Sequence, residues 1–151
     1  MLRLTSLAGN LALFVGGCLV VNALIFGFGY GTSTFASRSS DPPGWLVGAV
    51  WTLLFALFGV AHWLLRGEEP QFVRGRIGVE LLAVVCLLYP LYTMGLSNRD
   101  AGLIGNLITA LLTAGLAWWL WPLNRQAALL VLPVVPWLAF ASWTIIRGQT
   151  S

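Results

Sequence analysis

Five long apolar runs, separated by short polar or charged stretches, organise the 151-residue chain. The runs cover approximately residues 4–28, 44–66, 77–96, 101–121 and 126–146. Each is close to the roughly 20 residues that a helix needs to cross the hydrocarbon core of a bilayer. None has the apolar stripe opposite a polar face that is typical of a surface helix in a soluble protein. The pattern predicts an all-α protein whose residues 1–151 form one transmembrane domain, an integral membrane bundle of five helices.

Charged residues and helix breakers mark the joints between these runs. The second run opens at Asp41-Pro42-Pro43, where Asp can cap a helix and Pro fits the first turn because its missing N–H has no partner there. Residues 67–76 form the only strongly charged loop, and residues 97–100 form a short polar turn. These connections leave no room for a separate soluble domain.

Composition supports a lipid environment for most of the surface. Hydrophobic residues make up 58% of the chain and charged residues 9%, whereas soluble domains carry about a quarter charged residues. All eight basic residues are Arg and they are scattered along the chain, so a nucleic-acid partner is not expected. Cys18 and Cys86 fall inside apolar runs without metal-ligand spacing and are interpreted as small core residues.

The N-terminal run has two possible interpretations. Arg3 followed by apolar residues resembles a signal peptide, and Val15-Gly16-Gly17-Cys18 resembles a lipoprotein cleavage site. The apolar character continues past Cys18 through Phe28, which is long enough to span a bilayer, so we expect a membrane helix. With five spans, five Arg residues lie on the side of the N-terminus and three on the other, which predicts that the N-terminus is inside.

The eight tryptophans divide into two groups. Six lie near predicted span ends and fit the aromatic belts of membrane interfaces: Trp45, Trp63, Trp118, Trp119, Trp121 and Trp143. Trp51 and Trp137 do not fit, because the helical rise places both about 12 Å inside the outer edge of the hydrocarbon core. The two indoles therefore share one depth in the bilayer.

Other polar groups are expected in the same outer half: Tyr89 and Tyr92 near the end of the third span, and Asn106 in the fourth. Their polar atoms need partners, since an unmade hydrogen bond in hydrocarbon costs several kcal/mol. Two interpretations remain open. These groups either bond to one another and hold the helices together, or line an aromatic cavity, open towards the loop of residues 31–41, that stacks a flat apolar ligand.

Ionisable groups are too sparse to predict chemistry within the membrane. His62, the only His, is interpreted as an interfacial residue, and Glu80 is expected to pair with Arg76, four residues earlier. A proton relay would need several such groups in line. The sequence contains no recognisable nucleophile with a base, metal cluster or phosphate loop, so we do not expect an enzyme.

Two segments carry a family resemblance. Residues 42–55 read PPGWLVGAVWTLLF and resemble the PP-x-W-x(5)-W-T-x-L-[YF] signature of the tryptophan-rich sensory protein/translocator protein family. This is the TspO/MBR family, also called peripheral-type benzodiazepine receptors. Residues 132–142 read LPVVPWLAFAS and resemble its last helix, P-x-x-x-W-x-x-[FY]-A-[ST]. The two motifs occur in the family's order in a chain of the family's length.

The resemblance implies a homodimeric five-helix bundle in the membrane, here the bacterial cytoplasmic membrane. It also implies a pocket beneath the first loop for porphyrins, haem and other flat apolar molecules, with no cofactor required. By position, Trp51, Phe55, Trp137 and Ala141 would line that pocket, and Asn106 stands where the family often has a polar residue. The full candidate ligand-binding set is Trp51, Phe55, Tyr89, Tyr92, Asn106, Trp137, Phe140 and Ala141.

The chain also departs from the family's pattern. Its first loop lacks the family's Trp-Tyr pair, and Val85, Leu88 and Ile145 occupy positions where the family commonly has Asn, Trp and Asn. The predicted function is a membrane receptor or sensor, or a transporter, for a tetrapyrrole-like hydrophobic small molecule. The alternative is a structural or partner-binding membrane subunit whose aromatic residues only pack. Enzymatic breakdown of a porphyrin has no catalytic constellation to support it.

Overall fold

A computed structural model describes residues 6–28, 44–90 and 99–147, and within these ranges all regular structure is helical. The helices are α1 (Leu7–Gly27), α2 (Gly44–Leu64), α3 (Pro70–Leu87), α4 (Arg99–Leu120), α5 (Arg125–Val131) and α6 (Val134–Arg147). The predicted all-α membrane bundle is confirmed. The first loop and Tyr92 lie outside the described residues.

Four helical segments in the described ranges are long and apolar enough to cross a membrane: Leu7–Leu24, Gly44–Leu64, Arg99–Leu120 and Arg125–Arg147. The first of these runs without interruption through Cys18, which is buried. The α3 segment carries Arg74, Arg76 and Glu80 among apolar residues and is less hydrophobic than the others. With α3 packed among them, these segments form the five-helix arrangement.

The third helix begins earlier than the sequence predicts. Its expected start was residue 77, but α3 begins at Pro70, within the stretch predicted as a charged loop. Glu69 precedes it in an extended conformation, and Pro at the first helical position is favoured because its fixed φ suits a helix and its missing N–H has no partner there. Arg74 and Arg76 therefore lie on a helix rather than in a loop.

The last predicted span is divided into two helices. Leu132 and Pro133 form a turn between α5 and α6. Proline cannot donate the backbone hydrogen bond that would continue α5, and its ring crowds the preceding turn. At the other end of α5, Asn124 caps the helix by accepting a 3.0 Å hydrogen bond from the Ala127 N–H. Because of this break, α6 is a separate helix, and it packs against α4.

Helix α2 is the centre of the bundle, because it packs against α1, α3 and α5. Its buried face includes Trp51, Phe55, Phe58 and His62. Gly59 lies on the same face, where a Cβ atom would stand 3.1 Å from the Asn10 carbonyl oxygen of α1. A larger residue would press against the α1 backbone, so Gly59 favours the close approach of α1 and α2, as is common where membrane helices approach through small residues.

Short polar side chains within the helices are satisfied locally. Thr52, Thr109, Thr113 and Ser142 each donate a hydrogen bond of 2.7–2.8 Å to the backbone carbonyl four residues earlier. This arrangement removes the cost of a bare hydroxyl in hydrocarbon without requiring a partner on another helix. These residues need no further functional explanation.

The tryptophans at the helix ends differ from those in the interior. Five are exposed: Trp45, Trp118, Trp119, Trp121 and Trp143. Cationic side chains cover some of the terminal rings, since the guanidinium of Arg66 lies 4.1 Å from the Trp63 ring centroid and that of Arg147 lies 4.2 Å from that of Trp143. Such pairs suit an interface where an aromatic ring and a charge share a partly wet environment.

Candidate functional site

Three aromatic side chains from three segments meet between α2, the end of α3 and α6. The Trp51 ring centroid lies 5.1 Å from that of Tyr89 and 6.5 Å from that of Trp137. Trp51 is only 7% exposed, and Tyr89 and Trp137 are partly buried against the same core. We call Trp51, Tyr89 and Trp137 the aromatic cluster. The sequence predicted that the two indoles share one depth, and the fold brings them into contact.

The other predicted site residues surround this cluster unevenly. Phe55 lies 6.2 Å from Trp51, centroid to centroid, and is buried against Phe58 in the core. Phe140 lies 5.7 Å from Trp137 but is 39% exposed, so it extends the aromatic contacts outwards. Ala141 is buried on α6. Tyr92 lies outside the described residues, and its predicted role stays a prediction.

The indole N–H of Trp137 is buried and has no hydrogen-bond partner in the described part of the chain. A buried donor without an acceptor costs about 1–3 kcal/mol, and nearly all such groups in folded proteins are paired. The observation therefore calls for an explanation. An acceptor from a bound molecule would supply the missing partner.

Asn106 makes its own contacts between α4 and α6. Its Nδ2 donates a 3.0 Å hydrogen bond to Ser142 Oγ, whereas its buried Oδ1 accepts none from the described residues. Asn106 and Ser142 line a groove of about 320 Å³ between α4 and α6, together with Leu103, Leu107, Ala110, Val135, Leu138 and Ala139. None of the aromatic cluster lines this groove. A role of Asn106 in the same ligand site as Trp51 and Trp137 stays a prediction.

The two indoles touch edge to face, with an angle of 86° between their planes. A flat ligand sandwiched between them would need parallel rings about 7 Å apart, since each stacked layer takes about 3.5 Å. A larger space, of about 470 Å³, is lined by Gln71, Arg74, Trp118, Trp119, Trp121, Pro122 and Leu123 at the opposite end of the bundle. As the cluster stands, the Trp51 ring and the Trp137 N–H are both buried, so a ligand could contact them only if these rings moved apart.

A second cluster, which the sequence did not reveal, connects α1, α2 and α3. His62 is 2% exposed, and its Nδ1 lies 2.5 Å from Asn10 Oδ1 while its Nε2 lies 2.9 Å from Glu80 Oε1. The Phe14 ring packs against the imidazole at 5.4 Å between centroids. His62 therefore lies inside the helix bundle, in the last turn of α2, and its predicted position at the membrane interface stays a prediction. We call Asn10, His62 and Glu80 the polar network.

The expected pairing of Glu80 with Arg76 is replaced by other contacts. Arg76 Nη1 donates hydrogen bonds of 2.6 Å to the Leu65 carbonyl and 2.8 Å to the Gly67 carbonyl. These carbonyls follow the end of α2, where backbone acceptors lack helical partners and a cation is favourable. Arg76 thus stabilises the connection between α2 and α3. Glu80 contacts His62 instead of Arg76.

Comparison with known proteins agrees with this architecture. The model of the TspO/MBR family matches residues 11–147. The chain is 28% identical to the tryptophan-rich protein TspO of Chlorobaculum tepidum over 149 residues, covering 89% of this chain and 90% of that protein. It is 31% identical to the tryptophan-rich protein TspO of Archaeoglobus fulgidus over 106 residues, covering 67% and 66%. With its membrane-spanning helices and central tryptophans, this chain belongs to the TspO/MBR family of integral membrane proteins.

Proposed function

We propose that this protein is a membrane receptor or sensor, or a transporter, that binds a tetrapyrrole such as porphyrin or haem, or a similar flat hydrophobic molecule, at the aromatic cluster. Family membership and the cluster together support a sensory or receptor role in the membrane. The single observation that carries the site is the buried, unpartnered N–H of Trp137 next to Trp51.

The chemistry of the cluster suits a flat aromatic ligand. Once the rings of the cluster move apart, Trp51 and Tyr89 would offer ring faces in an apolar setting, and aromatic contacts of this kind are worth about 0.5–1.5 kcal/mol beyond the area that they bury. The Trp137 N–H would add one directed hydrogen bond to an acceptor such as a propionate or carbonyl oxygen of the ligand. The ligand is cargo or signal here, and the protein does not require it as a cofactor.

The test is a titration of the purified protein, in detergent or nanodiscs, with protoporphyrin IX, followed by the ligand's own absorption. Trp137→Phe retains an aromatic ring but removes the N–H. Loss of one hydrogen bond should weaken binding by about 1 kcal/mol, or roughly fivefold in Kd. Trp51→Ala also removes ring contacts and should weaken binding at least about tenfold.

Trp118→Phe is the matched control, because Trp118 is 85% exposed near the other end of the bundle and should leave the affinity unchanged. Saturable binding that is weakened by Trp137→Phe and Trp51→Ala, but not by Trp118→Phe, supports the proposed site. Absence of saturable binding, or equal affinity in all four proteins, rejects it.

The second candidate function is a structural or partner-binding membrane subunit with no small-molecule ligand. The edge-to-face contact of Trp51 and Trp137 favours it, since that geometry is a good packing arrangement in itself. Under this alternative, Trp51→Ala would destabilise the bundle while porphyrin bound weakly and without saturation. The same titration, combined with thermal unfolding, therefore separates the two functions.

We also propose a homodimer in a bacterial cytoplasmic membrane with the N-terminus inside. A Cβ atom on Gly44 or Gly48 of α2 would meet no atom within 4 Å in the described part of the chain, which leaves this GxxxG pair free for a second copy. Gly48→Leu should then lower the dimer fraction in cross-linking, whereas an unchanged fraction would exclude this contact.

The distribution of Arg supports the proposed orientation with the N-terminus inside. Four Arg residues lie near the same end of the bundle: Arg66, Arg74, Arg76 and Arg125.

A further inference from the structure

The polar network has a defined hydrogen-bond direction. Asn10 Nδ2 donates a 2.8 Å hydrogen bond to the Ser6 carbonyl, so the amide oxygen must be the atom that faces His62. An amide oxygen only accepts hydrogen bonds. The Nδ1 atom of His62 must therefore carry a hydrogen, whatever the charge of the ring.

Because Nδ1 carries a hydrogen, the next question is how many protons lie between His62 Nε2 and Glu80. A hydrogen bond across the 2.9 Å between His62 Nε2 and Glu80 Oε1 needs one proton between the two atoms. The proton belongs either to an imidazolium beside a carboxylate or to a carboxylic acid beside a neutral imidazole. Both forms have no net charge, which suits a low-dielectric interior.

Loss of that proton would be costly at this position. The Nε2 lone pair would then face a carboxylate, and the pair would carry one uncompensated negative charge beside a side chain that is 3% exposed. Glu80 is more open than His62, since 37% of its side chain is exposed. A histidine with a carboxylate partner is a common proton-exchanging combination near neutral pH.

Other charged and titratable groups on the helices near His62 make contacts elsewhere or lie farther along their helix. On α3, Arg76 donates to the carbonyls of Leu65 and Gly67. Arg66, just beyond the end of α2, lies over the Trp63 ring, and Arg125 of α5 lies over the Trp121 ring at 5.7 Å. On α1, Cys18 lies about two turns beyond Asn10.

We propose that His62 and Glu80 form a proton-binding site within the helix bundle, oriented by Asn10, that takes up one proton and hydrogen-bonds α2 to α3 only while that proton is bound. The ligand of this site is the proton itself. The site stands on its own geometry and does not depend on ligand binding at the aromatic cluster, from which it lies about 16 Å along α2, between residues 51 and 62.

The test exploits the fact that His62 is the only histidine in the sequence. Protein labelled with ¹⁵N-histidine and placed in nanodiscs gives one imidazole, whose two nitrogens report directly whether each carries a hydrogen. From about pH 5 to 8, where a free imidazole titrates, we expect Nδ1 to keep its hydrogen and only the Nε2 signal to respond to pH.

Two variants distinguish a proton site from a merely structural contact. Glu80→Gln keeps the size and removes the acidic group, so Nε2 should become a bare acceptor at pH 7 while Nδ1 keeps its hydrogen. Asn10→Leu removes the acceptor, so a mixture of both tautomers should appear. Glu69→Gln, an exposed acid that precedes α3, is the matched control and should reproduce the wild-type spectra.

Circular dichroism and gel filtration of each variant verify the fold. Should Asn10→Leu fail to fold, the nearly isosteric Glu80→Gln still decides the outcome. A wild-type imidazole with hydrogen on Nε2 and a bare Nδ1, or a mixture of tautomers, would overturn the proposal. So would Nε2 signals that respond to pH identically in the wild type and in Glu80→Gln.

Discussion

The two ends of α2 carry buried polar groups of opposite character. At the aromatic cluster, Trp137 Nε1 is buried without a partner in the described structure. At the polar network, both ring nitrogens of the buried His62 have partners on other helices, Asn10 and Glu80. Both regions lie in the same helix bundle. They differ in whether the chain itself completes the hydrogen bonds.

This difference indicates what each region does. A completed network contributes to stability, because removal of one member takes a hydrogen-bond partner away from the others. A buried donor without a partner costs stability, and an acceptor on a ligand, as proposed above, would remove that cost. Substitutions at the polar network should therefore change folding, and substitutions at the aromatic cluster should change binding.

The largest expected effect is that of His62→Phe. The ring volume remains, but Asn10 Oδ1 and Glu80 lose their partner. Breaking a fully buried pair costs about 3–5 kcal/mol, and the 37% exposure of Glu80 reduces this to about 2–3 kcal/mol. Unfolding by sodium dodecyl sulfate titration measures the free energy. Trp63→Phe, the next residue on α2, is the control, and equal stabilities of the two variants would contradict the role of the network.

A smaller loss is expected for Gly59→Ala, which tests the approach of α1 that positions Asn10. The new Cβ would lie 3.1 Å from the Asn10 carbonyl oxygen and 3.3 Å from the Leu11 Cα atom, so the α1 backbone must shift. Overpacking of this kind costs about 1–3 kcal/mol.

Gly16→Ala on α1 is the matched comparison for this variant. A Cβ at Gly16 meets nothing within 4 Å, and Ala is favoured over Gly in a helix by up to about 1 kcal/mol. We therefore expect opposite signs for the two variants in the same unfolding assay. Stabilisation by Gly59→Ala would show that α1 and α2 are not held at the observed distance.

The sequence predicts the helices better than it predicts the polar contacts between them. Apolar run lengths predicted the helices, because the bilayer thickness dictates their length. The charges of residues 67–76 predict a loop, but Pro70 is a favourable helix start and α3 begins there. The depth of Trp51 and Trp137 and the two family motifs single out both indoles, and the fold brings their rings into contact. The Asn10–His62 contact was missed because it depends on Gly59, whose role is visible only once α1 lies against it.

The smallest stability effect is expected for Trp137→Phe, and it gives the clearest contrast with His62→Phe. The substitution removes an N–H that has no partner in the described structure, so no hydrogen bond within the chain is lost. The smaller ring gives up some contact with Trp51, which offsets the relief of the unsatisfied donor. We expect a change within about 0.5 kcal/mol in the detergent unfolding assay, together with the weaker porphyrin binding described above. A loss above about 2 kcal/mol would mean that the chain itself satisfies this N–H, and the reason to place a ligand there would disappear.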